Sequence, residues 1–372
     1  MLEIQCKPEI HSLATCREFA EVFKPGPEDI ILTNKYIYEP FFGDMDLPAR
    51  RIYQEEYGSG EPTDVMVNAI LETMENLPCR RLFAMGGGTV IDIAKVLAVA
   101  GPGKRVDDLY ADMGNLSAHC ELVILPTTCG TGSEVTSISI LNRTSLGTKM
   151  GLVSPAMFAK KAVLVPELLS KLPYGVFATS SIDALVHAVE SWLSPKSTAF
   201  TRLFSKRAME MILQGYKTMA REGKEARQNL LQDFLLASNF AGLAFGTAGC
   251  AAVHALSYPL GGTYHVPHGE ANYSVFVEVL KMYQKKGVSG RLQELQAILA
   301  SILECTEDMA IEALGDLLSN ILSLKRLHEY GMTQEDVAHF ASNVLATQQR
   351  LLGNNYVPLS KGEIETIYAA RL

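Results

Sequence analysis

The sequence predicts two domains in series: an α/β unit with a parallel sheet over residues 1–173, then an all-helical unit over 174–372. Three observations predict this. Short β-rich runs alternate with helical patterns up to about residue 170, the strand signal vanishes after Pro173, and 372 residues are enough to bury two cores. In chain order the strands are "DIILTN" (29–34), "RRLFAM" (80–85), "CELVILP" (120–126) and "AVLVPE" (162–167). Several are apolar at every position, as strands covered on both faces are. Helical patterns at 62–77 and 89–100 separate them, and strand–helix–strand alternation implies parallel pairing. Beyond "SKLPYGV" the helical patterns are 177–193, 197–221, 225–247, 270–286, 289–303, 306–322, 333–350 and 360–371, many punctuated by glycine or proline.

Composition narrows the function classes. A formal charge of −8, with no basic block, argues against a general nucleic-acid surface. No apolar run approaches the ~18 residues of a membrane span. The start, MLEIQCKPEI, lacks the pattern of a secretory signal. The seven cysteines are scattered with no C-x-x-C pair. They read as free thiols, and a cytoplasmic protein is expected.

Two turns carry the first chemistry. Strand "RLFAM" runs into "GGGTVIDIAK" (86–95), where Gly86, Gly87 and Gly88 let the backbone approach an anion at a helix N-terminus. Thr89 adds a hydroxyl and Asp92 lies one turn on. A diphosphate suits such a turn, although a plain tight turn has the same string, and the pattern is not G-x-G-x-x-G. Strand "LVILP" leads to "TTCGTGSE" (127–134), with Thr127, Thr128, Thr131 and Ser133 around two glycines. Two polar turns at carboxyl ends of parallel strands point to one crevice, a Rossmann-like dinucleotide site. Asn34 ends its strand where an acidic residue often selects NAD. Asparagine can bond a ribose but repels no 2′-phosphate, so NAD and NADP both remain open.

Histidines carry the second. Three of the eight lie within "HALSYPLGGTYHVPHGEAN" (254–272), which has no lysine or arginine. In "SSIDALVHAVES" (180–191), capped by Ser180 or Ser181, Asp183 and His187 are four apart and share a helical face. Alone they read equally as a hydrogen-bonded surface pair, and His254 as a core histidine. With His268 at a helix start they make one carboxylate and three imidazoles, a set suited to Fe²⁺ or Zn²⁺ with room for a substrate oxygen.

Together "GGGTVIDIAK", "PTTCGTGSE", "DALVHAVE" and "HALSYPLGGTYHVPHG" resemble the iron-containing (group III) alcohol dehydrogenases, in order and over essentially the whole chain. The resemblance implies a metal held by Asp183, His187, His254 and His268. It also implies a cofactor diphosphate at Gly86, Gly87, Gly88 and Thr89, Thr127 and Thr128 beside the cofactor, Lys149 near its ribose, Phe245 in the substrate pocket, and a homodimer. Two positions depart from the family pattern: Asn34 replaces a frequent aspartate, and Tyr258 replaces a second helical histidine. His265, three residues before His268, could carry the proton instead, or be a loop histidine without a role.

The strings "ILTNKYIYEPF" and "QQRLLGNNYVPLS" look like a subgroup that interconverts 4-hydroxybutyrate and succinate semialdehyde with NAD. A carboxylate substrate needs a cation or donors, and Arg350, Asn354, Asn355 and Tyr356 are candidates. The alternatives are a dehydrogenase for a neutral alcohol such as propanediol, lactaldehyde or butanol, and a metal- and NAD-dependent cyclase like dehydroquinate synthase. The absence of lysine and arginine over 251–275 counts against the cyclase.

Overall fold

The computed structural model describes residues 2–287 and 289–372. The chain divides into two compact units, Cys6–Leu172 and Pro173–Leu372, the second joined by the N-terminal residues up to Gln5. Those residues group with the helical unit because the Gln5 N–H donates to Thr247 Oγ1 at 3.0 Å and the Glu3 carbonyl accepts from Thr198 Oγ1 at 2.6 Å. The sequence reading had placed them in the first unit.

In the α/β unit the strands are β1 (Glu9–Ser12), β2 (Ile30–Thr33), β3 (Arg50–Tyr53), β4 (Arg81–Gly86), β5 (Glu121–Pro126), β6 (Ile138–Arg143), β7 (Thr148–Val153) and β8 (Lys161–Leu164). Six form a parallel sheet in the order β1-β8-β5-β4-β2-β3, while β6 and β7 pair antiparallel apart from it. Every residue of β2 is buried, as are all but the first of β4 and of β5. Continuous apolar runs covered on both faces are what made these strands readable. The strands the sequence did not predict are the four-residue edges β1 and β3, mostly exposed, and the β6–β7 hairpin. Strand β6 alternates buried and half-buried residues, a period-2 signal that "ISILNR" does carry.

Register decides what the sheet presents at its carboxyl edge. Thr33 lies level with Tyr53 on one side and Met85 on the other, and Gly86 lies level with Pro126. The residues that follow β3, β2, β4 and β5 therefore emerge in one row.

The second unit is helical, with main helices Tyr174–Leu193, Ala199–Glu222, Leu231–Ala248, Ala252–Tyr264, His268–Lys285, Arg291–Leu303, Ala310–Ile321, Gln334–Thr347 and Lys361–Arg371. Three expected helices are broken: 225–247 and 306–322 begin as 3-10 turns before Leu231 and Ala310, and 333–350 stops at Gln348. Ser180 and Ser181 do not cap a helix. The helix starts at Tyr174 after Pro173, and both hydroxyls bond back to the carbonyls of Phe177 and Ala178. Pro173 is the N-cap, and its carbonyl accepts from the Phe177 N–H at 2.9 Å. Among the described residues no single helix is long and apolar enough to cross a membrane.

Candidate functional site

The glycine turn after β4 leads into the helix Gly88–Val99, whose N-cap, Gly87, offers no side chain. Its first N–H groups lack intrahelical acceptors and face the positive end of the helix dipole. A Cβ on Gly86 would lie 2.5 Å from Val90 Cβ, and one on Gly88 3.0 Å from Thr131 Cγ2. The two turns thus pack side by side, and the Thr127 N–H bonds the Gly86 carbonyl at 3.1 Å. Thr89 Oγ1 donates to the Gly60 carbonyl at 3.1 Å, and Lys149, on β7, pairs with Glu61 at 2.6 Å. The Gly60–Glu61 segment therefore joins both residues beside the first turn.

Asp92 and Ser133 hold each other. Ser133 Oγ donates to Asp92 Oδ1 at 2.8 Å and accepts from Lys95 Nζ at 2.7 Å. The Lys95 ammonium, fully buried, also donates to Thr136 Oγ1 at 2.9 Å and the Ile138 carbonyl at 2.8 Å. Burial lowers its pKa to about 8, against the raising pull of Asp92 and Glu134. Burial raises the Asp92 carboxyl, opposed by Lys95, the Ile140 N–H and Ser133. Asn34 is buried, and its Nδ2 donates to Gln54 Oε1 at 3.2 Å and Glu55 Oε2 at 2.8 Å.

In the helical unit four positions from three helices converge. Asp183 and His187 lie on one face of Tyr174–Leu193, His254 on Ala252–Tyr264, and His268 opens His268–Lys285. Close approach places His268: a Cβ on Gly269 would stand 2.4 Å from the Thr179 carbonyl oxygen and 3.5 Å from Asp183 Cβ. His254 Nε2 lies 3.0 Å from His187 Nε2 and 3.8 Å from Asp183 Oδ1. His268 Nε2 is 3.8 Å from Asp183 Oδ1, and His187 Nδ1 is 3.9 Å from Asp183 Oδ2. Asp183, His187 and His254 are buried, while the His268 side chain keeps 37% of its surface exposed.

Three residues the sequence reading missed complete the cluster. Glu190, one turn beyond His187, accepts from His254 Nδ1 at 2.6 Å and from the Ala251 and Val253 N–H groups at 3.0 and 2.6 Å. That bond fixes the proton on Nδ1 and leaves the Nε2 lone pair facing the other donors. Asn272 Nδ2 lies 2.7 Å from Asp183 Oδ1, 3.1 Å from His254 Nε2 and 3.2 Å from His268 Nε2. Cys250 stands with His187 and His254, their ligand atoms within 4.8 Å of one another. The spacing Asp183, His187, Glu190 was readable as one helical face, and Asn272 lies one turn after His268. Nothing in the string singled out Cys250.

Burial raises the Asp183 carboxyl, but His187, His268, His254 and the Asn272 amide outweigh it and the net direction is down. Burial lowers His254 and His187, and neighbouring anions reverse both, chiefly Cys250 and Glu190 for His254 and Asp183 for His187. Burial raises the Cys250 thiol, and the two imidazoles bring it down to about 7. The Phe245 ring stacks on His187 with centroids 4.2 Å apart. Tyr258 follows His254 by one turn. Burial raises its phenol, against the lowering charges of His254 and Arg350.

His265 sits exposed at the left-handed end of its helix, φ 55°, and among the described residues enters none of the contacts that join the four donors. Asn354, Asn355 and Tyr356 bond to the protein itself. Their polar groups bond the Cys250 carbonyl, Tyr283 with the Val357 carbonyl, and the Ser289 carbonyl respectively.

Two family models match the chain: "Iron-containing alcohol dehydrogenase" over residues 45–166 and "Fe-containing alcohol dehydrogenase family, C-terminal" over 177–372. The chain belongs to the iron-containing alcohol dehydrogenase family. It is therefore an oxidoreductase acting on an alcohol, and the cyclase alternative gives way. It is 46% identical to the 4-hydroxybutyrate dehydrogenase of Clostridium kluyveri over 98% of each chain. It is 30% identical to long-chain-alcohol dehydrogenase 1 of Geobacillus thermodenitrificans, over 94% of this chain and 91% of that one. The sulfoacetaldehyde reductase of Bifidobacterium kashiwanohense, solved in complex with NAD⁺, superposes with a TM-score of 0.85 at 23% identity over 100% of this chain and 99% of that one. At that identity the likeness shows the shared fold.

The donor set fits the divalent ion the family name implies. The donor atoms of Asp183, His254 and His268 lie within 4.8 Å of one another, close enough to share one ion, and His187 borders them with its Nε2 3.0 Å from His254 Nε2. Without a cation the polar groups do not balance. Asn272 has two amide protons for three acceptors, and its Oδ1 is buried with no hydrogen-bond partner.

Proposed function

We propose that this alcohol dehydrogenase uses NAD and a divalent ion, Fe²⁺ or Zn²⁺, to interconvert 4-hydroxybutyrate and succinate semialdehyde. The 46% identity to a 4-hydroxybutyrate dehydrogenase across 98% of both chains carries the reading. The balanced reaction takes the alcohol and NAD⁺ to the aldehyde, NADH and one proton. When bound, the ion supplies Lewis-acid polarisation of the alcohol oxygen, and NAD supplies the hydride acceptor.

The chain's own residues do the rest. Asp183, His187, His254 and His268 hold the ion, with Glu190 fixing the His254 tautomer. Gly86, Gly87 and Gly88 admit the cofactor diphosphate to the open helix N-terminus. Thr89, Thr127, Thr128 and Lys149 flank it, and Asp92, Thr131 and Ser133 hold the two turns in shape. Phe245, stacked on His187, walls the apolar middle of the substrate pocket. Arg350 pairs with the substrate carboxylate. Tyr258 or His265 passes the alcohol proton to solvent.

An anaerobic assay of the metal-reconstituted protein, following NADH, tests this against ω-hydroxy acids and simple alcohols. 4-Hydroxybutyrate should have the highest kcat/KM, and Arg350→Ala should raise its KM about tenfold without altering that for 1-butanol. Faster oxidation of 1-butanol than of 4-hydroxybutyrate by the wild type would overturn the substrate assignment.

A further inference from the structure

The expected selector of NAD is missing from the end of β2, where Asn34 stands, yet a carboxylate is present at that place. The parallel register sets Thr33 level with both Met85 and Tyr53, so Asn34 emerges between Gly86 of the first glycine turn and Gln54 beyond β3. Glu55 follows Gln54 and folds back across the end of β2. Its Oε2 accepts from Asn34 Nδ2 at 2.8 Å and its Oε1 from the Lys35 N–H at 2.6 Å. Asn34 also donates to Gln54 Oε1 at 3.2 Å, and Gln54 Nε2 donates to the Gly58 carbonyl at 2.9 Å, so the acceptor pair is held from both sides. Asn34 is 4% exposed, whereas Glu55 reaches the surface. The nearest lysine ammonium along the chain, that of Lys35, is turned to Glu39 at 3.6 Å.

We infer that Glu55, reaching over from the turn after β3, sets the cofactor preference of this enzyme by taking the adenosine ribose hydroxyls and repelling a 2′-phosphate. The inference rests on the reading that the glycine turn after β4 binds the dinucleotide diphosphate. A dinucleotide seated there extends its adenosine half along the carboxyl edge toward β2, the neighbouring strand. Each Glu55 oxygen accepts one protein hydrogen bond and keeps a lone pair for a ribose hydroxyl. A 2′-phosphate there would meet a carboxylate, and like charges brought together at a binding surface suppress the wrong ligand. Asn34 is the positioning residue: its amide orients the carboxylate.

The test is binding, read separately from turnover. NADH and NADPH are titrated by fluorescence into the metal-loaded wild type and into Glu55→Gln, which keeps an acceptor oxygen and loses the charge. The wild type should bind NADH more tightly than NADPH. Glu55→Gln should shift the ratio of the two dissociation constants at least about tenfold toward NADPH. An unchanged ratio with NADH still bound, or equal weakening for both cofactors, would overturn the role of Glu55 and leave the cofactor site intact. A wild type that binds neither dinucleotide would instead overturn the cofactor reading on which the inference stands.

Discussion

The glycine turns of the α/β unit and the donor cluster of the helical unit are made of different material. At the turns the groups on offer are backbone N–H groups at a helix start, and the nearby side chains of Asp92, Lys95 and Ser133 bond one another. At the cluster the working groups are side-chain lone pairs, and the backbone only sets where they meet. A site of the first kind is spoiled by adding atoms, one of the second kind by removing them.

The largest expected effect breaks the two apart. Asp183→Ala removes a carboxylate from the ion site, and the several kcal/mol a metal contributes to the transition state correspond to about a thousandfold or more in kcat. Metal content should fall to background while the dissociation constant for NADH holds. Gly87→Val does the reverse. A Cβ there already lies 3.3 Å from Thr128 Cγ2, and overpacking of about 1–3 kcal/mol should weaken NADH binding tenfold to a hundredfold with full metal content. If either variant lost both ligands, the two sites would not be separable in this way.

The same contrast explains what the sequence disclosed. A backbone site is local, so "GGGTVIDIAK" after an apolar strand was readable as it stood. The cluster was readable in its four donors only because a family pattern joined positions 183, 187, 254 and 268; spacing alone linked Asp183 to His187 and no further. What spacing did not connect was the outer layer with its partners on other helices. Glu190 contacts His254 across 64 residues, and Asn272 contacts Asp183 across 89. Glu55 reaches Asn34 because β3 pairs with β2, and β3 is a short, polar edge strand that no periodicity announces. Asp92 and Ser133, 41 residues apart in the two turns, bond each other, a pairing that tertiary packing makes and sequence cannot display.

The second effect sharpens the cluster side. Glu190→Gln leaves every metal donor in place but loosens the His254 tautomer, since an amide can present either a donor or an acceptor to Nδ1. Loss of such an outer partner costs about 10–100-fold in metal affinity. Competition with a chelator should show that drop while saturating metal restores turnover. A wild-type metal affinity would remove Glu190 from its positioning role.

The smallest effect lies on the turn side and is read in stability. Lys95 is held at about 8 by burial, below the unfolded value of ~10.4. Between these values the folded protein has released the proton and the unfolded chain still holds it, so this residue makes stability rise with pH across that window. It makes no pH-dependent contribution below it, where both states are charged. Lys95→Met should abolish that part of the slope in denaturant titrations between pH 8 and 10. It also removes the donor that Ser133, Thr136 and the Ile138 carbonyl share. Metal content, set in the other unit, should not change. A variant with the wild-type slope would mean that Lys95 titrates as freely when folded as when unfolded, and the two turns would need another tie.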